Sequence, residues 1–162
     1  MTAADHERAA QQNADPTGAT AAEHLDAART LRGVERAACA EVPDVERDQG
    51  PFARRDRIVA LEEVRDRTFP KAPPQLFGVA LTVRATPGMT EEWLGRLIQC
   101  HVAHYAVVGV ASSPEPSPLL VSGAVIRVSS TGLGFRVSVT SSDIDVAREV
   151  LNAGRAVTGH VS

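Results

Sequence analysis

Aromatic residues are scarce in this chain, at 4% of its 162 residues. A core must therefore be built mainly from Val, Leu, Ile and Ala. Lysine is nearly absent: Lys71 stands alone among 17 basic residues, the rest being arginine. A GC-rich coding sequence explains that skew as well as function does, so it marks no site. No apolar run reaches the roughly 18 residues that a membrane span needs. The opening MTAADHERAAQQNADPTGAT has no apolar stretch of the kind a signal peptide carries. The expected location is the cytoplasm, or the periplasm or exterior if an export signal has been removed. A net charge of −3 lacks the strongly basic balance of a nucleic-acid binder, so no nucleic-acid partner is expected. Only two cysteines occur, Cys39 and Cys100. They allow one disulfide, two thiols or separate roles.

What is present is an ordinary globular composition, 43% hydrophobic and 23% charged, in a chain long enough for one independent core. Residues 1–19 are polar and Ala-rich, with Asp15-Pro16 and Gly18, and read as a disordered or weakly helical tail. Residues 20–42 read as a helix. Thr20 and Glu23 have capping-box spacing, and Ala27, Leu31, Val34 and Ala38 form a thin apolar stripe. Pro43 is expected to end it. Residues 43–57 mix both charge signs with Pro43, Gly50 and Pro51, and read as a linker that Phe52 anchors.

An α+β domain is expected over 58–162. Ile58–Val64 suits an optional first strand, and the prolines at 70, 73 and 74 mark an extended connection. Val79, Leu81 and Val83 then alternate with Ala80, Thr82 and Arg84, as in a half-buried strand. Pro87-Gly88 turns the chain. Thr90 caps a helix running to about Val108, with Glu91 and Glu92 in its first turn and Gly109 at its end. A Pro/Ser loop leads to a hairpin, in which Ile126 and Val128 are answered by Phe135, Val137 and Val139 across STGLG. Ser142 is expected to cap the last helix, with Ile144, Ala147, Val150, Leu151 and Gly154 inward. The order β-α-β-β-α, with one apolar face per strand, predicts a two-layer sandwich: a small antiparallel sheet with helices on one face.

One cluster suggests chemistry. Cys100, His101 and His104 fall within a turn of each other in IQCHVAHY. A thiolate and imidazoles at this spacing can share a zinc or copper ion. A structural zinc site takes four ligands, and the cysteine and histidine candidates for the remainder are Cys39, His24 and His160. His24 and Cys39 lie about 22 Å apart on one helix, so both cannot serve one ion. Three other readings stay open. Cys100 can be a buried small hydrophobe, with His101 packed beside Leu94, Ile98 and Tyr105 and His104 facing solvent. It can pair with Cys39 in a disulfide. It can act as a nucleophile activated by His104, although no orienting acid or oxyanion hole is evident.

Other motifs read as structure. TGLGF sits between antiparallel strands rather than between a strand and a helix, so it is a hairpin turn and not a phosphate loop. Arg54, Arg55 and Arg57 are interrupted by Asp56 and flanked by Asp48, as in a solvated loop. The serine pairs fit turns and caps.

RATPGMTEEWL (84–94), QCHVAHYAVVG (99–109), EHLDAARTLRGVERAACAEVP (23–43) and PFARRDRI (51–58) together resemble an uncharacterised bacterial family whose members often carry export signals. The resemblance covers most of the chain after residue 20. It implies an envelope location and no particular activity. In that pattern the proline loop before the hairpin carries a further cysteine, where this chain has Ser117. The combined expectation is a small, non-enzymatic domain that binds a ligand or partner, with the Cys100/His104 helix face as candidate site. A purely structural module, self-associating or bound to another protein, is the alternative, and a thiol enzyme the least favoured.

Overall fold

A computed structural model describes residues 1–12, 19–66, 71–113 and 116–159. It is an α+β protein with five α-helices and a four-stranded antiparallel sheet among the described residues. No helix there is long and apolar enough to cross a membrane. Two compact units are formed, and each draws on two stretches of chain: residues 1–50 with 96–114, and 51–95 with 115–162.

The first unit is helical. Helix α1 covers Ala3–Gln12, within the segment that reads as a disordered or weakly helical tail. A reciprocal cap starts the helix. The Asp5 backbone N–H donates to Thr2 Oγ1 at 3.1 Å, and the Thr2 backbone N–H donates to the Asp5 carboxylate at 3.0 Å. The bonds donated to the Asp5 carboxylate by the Thr2 backbone N–H and by its hydroxyl hold that carboxyl below its ordinary pKa. The rest of that segment, 13–18, lies outside the described residues. Helix α2 covers Ala21–Cys39, with the Thr20–Glu23 capping box made in both directions. It ends before Pro43, which instead caps α3, Asp44–Gln49, inside the expected linker. Helix α1 packs on α2 through buried Ala3 and Ala28, the His6 and His24 rings, and an Arg32–Glu7 ion pair.

The second unit carries the sheet. Strand β1 is Ile58–Asp66 and β2 is Gln75–Arg84. Helix α4, Glu91–Val108, contributes its first turn here and its remainder, from Arg96, to the helical unit. Strands β3, Val125–Thr131, and β4, Gly134–Thr140, form the expected hairpin, and α5 is Ile144–Thr158. The strand order is β1-β2-β4-β3. The optional first strand is thus an edge of the sheet.

Helix α5 lies on one face of the sheet. Val79, Leu81, Val137 and Val139 are fully buried on that face, as is Val150 of the helix. Gly154 sets the approach: a Cβ there would lie 3.1 Å from Leu61 Cδ1 and 3.2 Å from Val79 Cγ2. The helix begins one residue later than the sequence suggested. Asp143 is its N-cap and accepts from the N–H groups of Asp145 and Val146. Ile144 therefore precedes the inward stripe and is exposed, while Val157 joins the stripe. Gly78 has φ +145°, opposite a register irregularity in β1. A Cβ at Gly78 would sit 2.0 Å from the Val139 carbonyl oxygen, so only glycine fits.

Candidate functional site

Helices α2 and α4 run antiparallel in the helical unit and are joined at three points. Along α4, Arg96, Cys100 and His104 recur every four residues and therefore share a face. Their partners run backward along α2 and just beyond it: Glu41, Cys39 and Glu35. The central tie is covalent. Cys39 and Cys100 form a disulfide, with Sγ atoms 2.08 Å apart and Cα atoms 4.7 Å apart.

The sulfurs differ in access. Cys100 is fully buried, whereas Cys39 is half-buried at the end of α2. One turn along, His104 Nδ1 lies 2.7 Å from Glu35 Oε1, and both side chains are about one-fifth exposed. On the other side, Arg96 meets Glu41 at the surface. The covalent tie thus lies between a half-buried pair and an exposed one.

His101 faces another environment. Its ring makes an edge-on contact with Tyr105, with centroids 4.9 Å apart, and stands against Gly50, which has no side chain to obstruct it. His101 is buried, and Nδ1 has no hydrogen-bond partner among the described residues. Burial lowers its pKa to about 4, His104 pushes the same way, and a backbone hydrogen bond with Arg47 opposes both. The ring is neutral at pH 7 and packs as a core group.

The disulfide changes what the cluster can do. The Cys100 sulfur is bonded to Cys39, so the thiolate that metal ligation or nucleophilic attack would need is not present. His101 is turned into the core, and His104 is held by Glu35 rather than facing solvent. Among the described residues, no group of three or more His, Cys, Asp or Glu side chains could hold a metal ion. His24 is buried against His6, with Nδ1 atoms 3.0 Å apart, and His160 lies outside the described residues. Glu35 is the orienting acid that sequence reasoning did not find. Its signal was present as matched spacing: Glu35 precedes Cys39 by four residues, as Cys100 precedes His104. No Ser, Thr or Cys side chain among the described residues is hydrogen-bonded to His104.

The remaining motifs sit in the sheet unit. Gly132 and Leu133 form the hairpin turn of TGLGF, beside an open cleft of about 480 Å³. Glu91 occupies that cleft and accepts both the backbone N–H and the hydroxyl of Ser130. A carboxylate there opposes phosphate binding. Ser117 has a buried hydroxyl without a partner among the described residues. Phe52 is buried, as expected of an anchor.

No protein-family model, curated protein or solved structure matches the chain.

Proposed function

We propose that this chain is a non-enzymatic binding domain suited to an oxidising compartment, its helical unit braced by the Cys39–Cys100 disulfide. The carrying observation is that bond, which ties α2 to α4 across a separation of 61 residues and has one sulfur fully buried. Structural disulfides persist where thiols are not kept reduced. Resemblance to a family often bearing export signals points to the same environment. The surroundings of the bond favour bracing over catalysis, because His101 is neutral core and His104 is tied to Glu35. Thiol titration of the denatured, unreduced protein tests this reading. No titratable thiol is expected. Two thiols in protein recovered from an oxidising compartment would refute it.

A second reading rests on the same adjacency. Reduction would leave two thiols side by side with His104 one turn from Cys100; the three do not converge on an ion in the disulfide form, so they would have to rearrange to hold zinc or copper once the bond opens. Protein purified with reductant and either metal should then retain the ion, and Cys100→Ser should lose it. Metal-free protein under those conditions would rule this second reading out.

A further inference from the structure

The face of the sheet opposite α5 mixes polar residues with Ala60, Val64, Ala80 and Val125 and carries an uneven charge. Cross-strand register places Thr82, Arg136 and Ser129 in one row and Ala80, Ser138 and Arg127 in the next. Arg84 stands one row to the other side, opposite Gly134. On β2, β4 and β3 this face bears three arginines and no carboxylate. Strand β1 adds Glu62, ion-paired with Arg136, and Asp66 at its end. Arg84 and Arg127 are exposed and make no ion pair among the described residues. This arrangement occurs in a chain whose net charge is −3.

The three arginines lie on consecutive strands and in consecutive rows. Neighbouring strands are about 4.8 Å apart and alternate residues about 6.8 Å apart, so the Cα atoms follow a diagonal in steps of about 8 Å. Thr82, Ser129 and Ser138 place hydroxyls along it. We propose that this face binds an anionic polysaccharide, its sulfate or carboxylate groups engaging Arg84 and Arg127, with Arg136 held by Glu62 between them, and its hydroxyls meeting those of the protein. Charge complementarity selects a polyanion. The absence of any aromatic side chain from these rows disfavours single-stranded nucleic acid, which binds by stacking bases on such rings. The surface belongs wholly to the sheet unit, so it goes beyond the disulfide reading and stands or falls separately.

Heparin is a suitable probe, titrated against the full, unreduced chain at physiological ionic strength. Salt-sensitive binding is expected, with neutral dextran inert. Arg84→Gln with Arg127→Gln should weaken it by about tenfold, the size expected from losing two exposed charge contacts. Ser129→Glu, which sets a carboxylate among the arginines, should weaken it as well. Arg29→Gln with Arg36→Gln, on the exposed side of α2, should leave it within about twofold. No heparin binding, or equal loss in the α2 control, overturns the proposal. Equal or tighter binding of polyuridylate through the same arginines overturns the choice of polysaccharide.

Discussion

Two buried polar groups set what single side chains contribute. Ser117 Oγ has given up water without gaining a partner among the described residues, and such a group costs about 1–3 kcal/mol. Ser117→Ala should therefore raise stability by about 1 kcal/mol, read as a higher urea midpoint with an unchanged slope. His101 makes stability depend on pH. Its folded pKa of about 4 lies below the ordinary 6.5, so between those values the unfolded chain takes up a proton that the folded chain refuses. Its contribution is therefore at full strength above pH 6.5 and falls as pH drops toward 4, by on the order of 3 kcal/mol. Urea midpoints across that interval should fall less steeply in His101→Leu than in the parent.

The elements show how much local sequence can specify. Thr20→Ala removes one half of the α2 capping box and should cost about 1 kcal/mol, measured by thermal or urea unfolding. The alternating strands, the hairpin turn and the α4 cap, where Thr90 Oγ1 accepts from the Trp93 N–H, were all legible because each depends on residues a few positions apart. Gly78 was not marked as special, because its requirement comes from the Val139 carbonyl on the neighbouring strand. Gly78→Ala should destabilise by more than about 2 kcal/mol, combining an unfavourable φ with a backbone clash. Helix α1 shows the opposite case. Its Thr2–Asp5 cap is local, yet the polar, Ala-rich composition around it suggested a disordered or weakly helical tail, and the α2 surface that packs against it was not visible from composition.

For the whole molecule, the disulfide has the largest expected effect. Closing a loop of 61 residues restricts the unfolded chain by about 4 kcal/mol. Reduction, or Cys39→Ser with Cys100→Ser, should lower the thermal midpoint markedly, and calorimetry with and without reductant measures this. An unchanged midpoint would show that the bond contributes nothing to the fold. The candidate site was only half legible. The Cys100/His104 spacing drew attention to the correct helix face, but its neighbours on α2 are separated from it by the sheet's first two strands in the chain.

By itself, the sequence determined the helices' capping signals, the strands' inward faces and the hairpin, because propensity, periodicity and capping act over a few residues. Tertiary structure alone decided that Cys100 takes Cys39 as its partner, that Glu35 holds His104, and that Arg84, Arg136 and Arg127 align across three strands. Those outcomes depend on helix direction and strand register, which follow from the packing of segments remote in the chain.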